Sequence, residues 1–561
     1  MRLRYVRRPP PPTILAVGIL LLPISTAFAG PNDIYVDGSL VSASCTNYSV
    51  VLRACGNGTE RAFRTIAAAA AVTAPGNIVH IRQGTYSERL TPPANGTASQ
   101  PITFQGYGSE TATLTGTQGL LFQGRSYIII DRLRVSDVSS WGQAYDSHHI
   151  TIQNSTFERA SSGGTTGGFK FVRSNDNRVL DSRFEDGNDN LMLIHADRNL
   201  ISGNTLLMAR HNTWGILCGN YNVIRNNDFD NPTQKLGQIT DCEGVPSDAA
   251  ESYDDTKRNL VEGNVFRRTG QAAPSAPYNG IQYAGQQGII RRNVFHGNTG
   301  TSISMTIYAN EARYNYGNRI YHNTMFGGHH AALDLAGSGG TFSDNKLMNN
   351  IMVGTIMTGY ASELEGRPVQ VLLAGRTSGF VLDTNNLFGT APNQQYVITN
   401  GSRNDASGTQ RTVAEWQAAN PTLFVGNLDR VPGFQNSAGG DFRLSATSLN
   451  MDAGTWLARA VSAGSGTVIT VDDVLPFYDG FGITGEAGDE VQFQGQTERG
   501  RITRIDYAAR TLTIDRALTW SAGLRLSLAY AGSAPDIGAF ESGTTTTTPP
   551  PAAPTNVRII R

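Results

Sequence analysis

Short apolar runs recur between residues 148 and 352, each closed by a polar corner. The phrases are HHITIQNSTF (148–157), NRVLDSRF (177–184), NLISGNTL (199–206), NVIRNNDF (222–229), NLVEGNVF (259–266), GIIRRNVF (288–295), NRIYHNTMF (318–326) and FSDNKLMNNIM (342–352). Apolar and polar positions alternate with a period of two, which predicts short strands rather than helices. The polar positions Asn154, Ser182, Asn204, Asn227, Asn264, Asn293, Asn323 and Asn350 are spaced 22 to 37 residues apart. Such a variable repeat is the mark of a solenoid. Strands disfavour Asn, so its return at one register has a physical cause. A sharp corner strips main-chain amides of strand partners. An inward Asn satisfies them, and stacked Asn side chains bond from coil to coil. A second strand is expected in each coil: FKFV (169–172), LMLIH (191–195), WGILC (214–218), ESYDD (251–255), GIQYA (280–284) and SISMTIYA (302–309). The predicted fold is all-β, a right-handed parallel β-helix.

Composition agrees with many strands and tight turns. The 561 residues include 62 glycines, only 16% are charged, and the net charge is -1. No Gly-X-Y period exists, so the chain is not collagen. The scarcity of Lys and Arg argues against nucleic acid as a partner. Apolar content of 39% is too high for global disorder.

Residues 1–29 read as a secretory signal peptide. Arg2, Arg4, Arg7 and Arg8 precede an apolar stretch, and Ala27-Phe28-Ala29 offers a cleavage site. The stretch is short for a membrane span. The expected location is therefore secreted, periplasmic or cell-surface, and the expected state a soluble monomer. Export permits disulfides. Cys45–Cys55 and Cys218–Cys242 are the favoured local pairs, buried thiols being the alternative; no spacing suits zinc.

The chain divides into a solenoid over 30–455, a small antiparallel β module over 456–532, a closing segment over 533–542 and a Thr/Pro-rich linker and tail over 543–561. The module is read from TVITVDD, DEVQFQG, RGRITRIDY, RTLTIDR and LRLSLAYAG, which suggest hairpins. Ala62–Ala71 is the one convincing helix, placed to cap the mouth of the solenoid.

IYVDGS (34–39), AFRTIAAAAA (62–71), IVHIRQGTYSERL (78–90) and ITFQGYG (102–108) resemble the opening coils of the pectin-lyase-like β-helix superfamily. SLNMDAG (448–454) and APDIGAFES (534–542) resemble the closing phrases of its bacterial members. The resemblance implies this fold over roughly 33–542. It leaves the activity open, because the fold carries lyases, hydrolases, epimerases and adhesins. In the alginate/chondroitin-type lyases of this group a Lys stands four residues before the Asn of an acidic coil, with an Arg on the next coil. Here Asp255 and Tyr283 occupy those places.

The longest repeat gap holds Asp241, Glu243, Asp248, Glu251, Asp254 and Asp255, followed by Lys257 and Arg258. Asp241, Glu243, Glu251, Asp254 and Asp255 offer hard oxygen ligands for Ca²⁺. The same carboxylates could serve as an acid/base pair for glycoside hydrolysis, or form a solvated loop. Neighbouring coils add Arg210, His211, Lys257, Arg258 and Tyr283 as candidate catalytic groups. Trp214, Tyr278, Gln282, Tyr308 and His195 are candidates to contact a sugar; core packing is the plain alternative for Trp214, and a turn or core position for each His. The expected function is cleavage of an acidic, uronate-containing polysaccharide by β-elimination. A glycoside hydrolase and a non-catalytic glycan-binding surface protein are the alternatives.

Overall fold

A computed structural model describes residues 33–163, 167–240, 256–273, 276–305, 314–335, 341–359, 364–401 and 410–543. Several expectations lie outside these residues: the signal peptide, Asp241, Glu243, Glu251, Asp254, Asp255, Tyr308, Cys242 and the C-terminal linker. The described chain is a right-handed parallel β-helix, as the repeat predicted. One coil shows the plan, with three short strands, Leu200–Ser202, Thr205–Leu207 and Asn212–Leu217. Each pairs in parallel with the equivalent strand of the next coil, Val223–Arg225, Asp228–Asn231 and Lys235–Thr240. The solenoid therefore has three faces, called first, second and third in chain order within a coil.

The inward side chains form one continuous apolar core. Equivalent rings stack along the second face: Phe157 on Phe184 at 4.6 Å, Phe229 on Phe266 at 4.9 Å, and Phe266 on Phe295 at 4.5 Å. Between the first and second strands runs the polar ladder. Asn204, Asn227, Asn264, Asn293, Asn323, Asn350, Asn385 and Asn427 follow one another, each Oδ1 accepting from the backbone N–H and Nδ2 of the Asn before it. The ladder begins at Ser155 and Ser182, not at Asn154, because Ser155 N–H donates to Ser182 Oγ. Asn154 is exposed and takes a left-handed backbone, φ +49°. So do the residues preceding every later rung, including Asp181, Gly203, Asn226 and Gly263. That column turns the corner and favours Gly, Asn and Asp. A second ladder, Asn177–Asn199–Asn222–Asn259, lines the corner before the first strand.

Both ends of the core are closed. A helix spans Ile66–Ala70; its first N–H groups donate to the Glu88 carboxylate, and Ile66, Ala69 and Ala70 enter the core. A second helix, Val413–Ala419, was not expected. It begins with a Thr412/Glu415 capping box and places Trp416 against Phe424 at the far mouth.

A six-stranded antiparallel sheet is built from strands between Ala458 and Leu528. It packs on the outer side of the first face, where Leu200, Val223, Leu260 and Ile289 meet its buried side chains in a second apolar cluster. Arg291 crosses this interface, 1% exposed, bonding Glu262 at 2.8 Å and Asp489 at 2.6 and 2.7 Å. Segment 533–542 then returns to the second face. Gly538 lies so close to the strands that a Cβ would sit 2.7 Å from Ile351.

Candidate functional site

With the first face covered by the module, chemistry on the described residues gathers on the third face and its corners. Asp189, Asn212 and Lys235 stand at equivalent positions on three successive coils. Coils are ~4.8 Å apart. The Asp189 carboxylate is buried, and its Oδ1 accepts from Asn212 N–H at 3.1 Å and Asn212 Nδ2 at 2.9 Å. His211 Nδ1 lies 2.9 Å from the same oxygen, while the ring is half exposed. Asp189 thus holds the imidazole with Nε2 turned from the carboxylate. Asn212 Nδ2 also approaches Nδ1, at 3.1 Å; with the Nδ1 proton given to the carboxylate, Nε2 is the proton acceptor.

Lys235 Nζ donates to Gln238 Oε1 at 2.8 Å on the next coil along from His211. Gln238 pairs in register with Gly215 on one side and Gln282 on the other. Extending these pairings sets His211, Gln234 and Tyr278 in one column at the corner. Lys170 lies further back on the same face, its ammonium 5.6 Å from the Tyr145 ring.

Of the residues proposed from sequence, His211, Tyr278 and Gln282 come together on this face. Gln282 is nearly enclosed and Tyr278 half buried. Others are placed elsewhere, each for a physical reason. Trp214 points into the core beside the stacked Phe229 and Phe266, and Gly237 beneath it has room for no Cβ. Tyr283 is also a core residue; its hydroxyl donates to Asn318 Oδ1 at 2.8 Å, and burial pushes its pKa well up. A neutral, enclosed phenol bonded to the buried Asn318 is not a surface base. His195 turns the corner beyond the third strand at φ +49° and is buried. Arg210 spends its guanidinium on Asp186 at 3.0 Å and on the carbonyls of Ala160 and Ser162. Arg258 lies 3.6 Å over the Tyr507 ring and donates to Tyr221 and Gln287, which ties it to the module on the first face. Lys257 sits at the corner between third and first faces, paired with Gln286.

The expected strand 251–255 lies outside the described residues. On the third face Lys235–Thr240 pairs with Asn212–Leu217 and with Ile281–Tyr283. Thr256 Oγ1 donates to Thr240 O at 2.7 Å, so these two residues meet at the rim of the third face. Among the described residues no group of three His, Cys, Asp or Glu side chains could hold a metal ion. Lys235, Gln238 and Asp189 escaped the sequence reading. The signal in KLGQIT was Leu236 and Ile239 three apart, diluted by Lys, Gly and Gln. Cys45 and Cys55 form a disulfide. Cys218 is also disulfide-bonded, and its expected partner Cys242 lies outside the described residues.

Residues 118–272 match the family model described as a right handed beta helix region. A 57-residue stretch is 44% identical to the uncharacterized protein YwoF of Bacillus subtilis (strain 168), covering 10% of this chain and 12% of the relative. The chain thus spans about an eighth of that relative's length. Among solved structures, pectate lyase Pel9A is similar at 13% identity and a TM-score of 0.39, covering 91% of this chain and 96% of that one. The PL6 family alginate lyase AlyGC is similar at 14% identity and 0.46, covering 68% of this chain and 55% of that one. A GH136 lacto-N-biosidase from Eubacterium ramulus is similar at 10% and 0.42, covering 63% and 67%. Likenesses of this degree carry no argument about activity.

Proposed function

We propose that this right-handed parallel β-helix protein is an exported polysaccharide lyase that cleaves a uronate-containing glycan by β-elimination on its third face. The observation that carries the reading is the Asp189–His211 pair, with Lys235 one coil on. β-Elimination needs a base for the proton at C5, a cation beside the uronate carboxylate and an acid for the leaving oxygen. His211 Nε2 takes the proton while Asp189 holds Nδ1 and steadies the imidazolium that forms. Lys235 pairs with the carboxylate, which makes the C5 proton more acidic. Tyr278, in the His211 column, is the donor to the leaving oxygen. The carboxylates of the acidic segment, Asp241, Glu243, Glu251, Asp254 and Asp255, have the hard oxygen chemistry that Ca²⁺ takes, and a bound ion would supply further positive charge. The Cys45–Cys55 disulfide suits an exported protein. No helix among the described residues is long and apolar enough to cross a membrane.

The test is incubation with alginate, pectate, glycosaminoglycans and glucuronan, following the ultraviolet absorbance of unsaturated ends. His211→Ala should lower the rate by about 10²–10⁴-fold. Asp189→Asn should cost less, because the base remains with its tautomer unfixed. No absorbance on any of these glycans would overturn the reading. New reducing ends without absorbance would favour a hydrolase instead, and retention without turnover a binding protein.

A further inference from the structure

A second cleft lies on the neighbouring, second face, where the chain folds back over the solenoid. Strands Phe434–Asn436 and Asp441–Leu444 form a hairpin closed by the turn Ser437–Gly439. Phe442 of this hairpin packs on Phe326 at 5.1 Å and on His296 at 5.5 Å between ring centres. Between hairpin and strands remains a cleft of about 810 Å³ whose wall also includes Arg267, Arg443 and Phe540. It opens beside Gly327 and Gly440, where a Cβ would meet nothing within 4 Å.

The polar groups of the cleft are held but not used up. Arg267 gives Nε and Nη2 to Asp228 at 2.7 and 3.0 Å, and no partner takes its Nη1 among the described residues. Arg443 gives Nε and Nη2 to Asp441 at 2.9 and 2.6 Å, again leaving Nη1. The His296 ring has no hydrogen bond to any described residue, and burial beside Arg267 keeps it neutral at pH 7. Each arginine is paired with a carboxylate, so the cleft carries little net charge. It offers aromatic faces beside fixed, unspent N–H donors. Aromatic faces suit the apolar C–H side of a sugar ring, and unspent donors suit its ring of hydroxyls. The volume fits a ligand of a few sugar units.

We propose that this cleft is a second glycan-binding site, which holds a pyranose unit of the polysaccharide away from the reacting bond. The inference rests on the reading of the protein as one that acts on a uronate glycan. Along the second face, His296 stands three coils from the coil that carries His211. At ~4.8 Å per coil this is ~14 Å along the solenoid, so one chain could span both sites around the corner.

The experiment uses the full chain carrying His211→Ala, with tetrasaccharides of galacturonate, mannuronate and guluronate as probes. The side-chain ¹⁵N signals of His296 are assigned by their loss in His296→Ala. They are expected to move on addition of at least one tetrasaccharide. Arg443→Ala, a change at a half-exposed side chain, is expected to weaken that titration at least tenfold. Still His296 signals at saturating concentrations of all three probes would overturn the inference, as would a titration that Arg443→Ala leaves unaltered. Failure of the lyase reading is seen separately, as absence of unsaturated product from the native chain.

Discussion

Each rung of the Asn ladder serves two neighbours at once. Asn227 Oδ1 accepts from Asn204 N–H and Nδ2, and its own Nδ2 donates to Ile201 O and to Asn264 Oδ1. Asn227→Ala would leave a buried N–H and a buried carbonyl without partners. An unmet buried group costs ~1–3 kcal/mol, so denaturant unfolding should show a loss of about 2–5 kcal/mol. Asn154→Gly should cost less, about 1–2 kcal/mol, since Asn154 is exposed, its left-handed backbone suits Gly, and one hydrogen bond to Asp131 is lost. Equal effects of the two changes would refute the assignment of rungs. The repeat was legible because the ladder needs Asn. The slip at its first rung arose because QNST offers both Asn154 and Ser155 as a polar corner residue. Left-handed geometry decides between them: Asn154 belongs with Asp181 and Gly203, and Ser155 with Ser182 and Asn204. In the candidate site, His211 was visible as a corner histidine. Asp189 was not, because only the stacking of coils brings a residue 22 positions earlier beneath its ring.

At the scale of elements, the first face is buried on both sides where the module covers it. Its strands show this in sequence as paired apolar residues: Leu200-Ile201, Val223-Ile224, Leu260-Val261 and Ile289-Ile290. One of each pair enters the solenoid core and the other meets the module. Continuous apolar runs are what doubly covered strands display, so the docking face was encoded although the hairpins alone did not reveal it. The charged contacts were beyond sequence reading, because Arg291 and Asp489 are 198 residues apart. Their pairing gives a direct test. Asp489→Ala leaves the enclosed Arg291 guanidinium with Glu262 as its one carboxylate, and since removing the sole partner of a buried charge costs ~3–5 kcal/mol, the loss here should reach at most about that range. Limited proteolysis should then release the segment between about 456 and 530 while the solenoid survives. A module that stays resistant would show that the apolar cluster alone holds it. Most third-face strands were legible, among them Phe169–Val172 and Asn212–Leu217; Lys235–Thr240 was not, since it carries its two inward residues among polar ones and a glycine.

For the whole molecule, several buried titratable groups oppose one another, and their balance sets the pH range of stability. Burial and nearby arginines push His322 down to about 3, and burial with Arg267 pushes His296 down to about 4, from 6.5. Unfolding therefore takes up protons at these two sites between their folded values and 6.5, so each contributes stability that is lost as pH falls through that window. Burial and the charge of Asp536 raise Glu541 from 4.5 to about 7. Here unfolding releases a proton between 4.5 and 7, so this stability is lost as pH rises. Glu262 opposes its own burial through Arg291, Arg225 and Arg292, which hold it at about 2. Its contribution disappears only below 4.5. Between pH 4.5 and 6.5 the two histidines outweigh Glu541 by about one proton, and the carboxyls of Asp228, Asp383, Asp429 and Asp536, raised by burial, act in the same sense as Glu541, so stability should climb with pH by at most about 1.4 kcal/mol per unit. Below 4.5 Glu541 ceases to oppose, Glu262 joins the histidines, and the fall should steepen. Glu541→Gln removes the opposing proton and should make the rise between 4.5 and 6.5 about twice as steep, whatever the substitution does to stability at a single pH. Denaturation midpoints of both proteins at half-unit steps from pH 4 to 8 measure the two slopes. Equal slopes would mean that Glu541 titrates in the native protein as it does in the unfolded chain, and that the closing segment at 533–542 is more open to water than its packing on the second face implies.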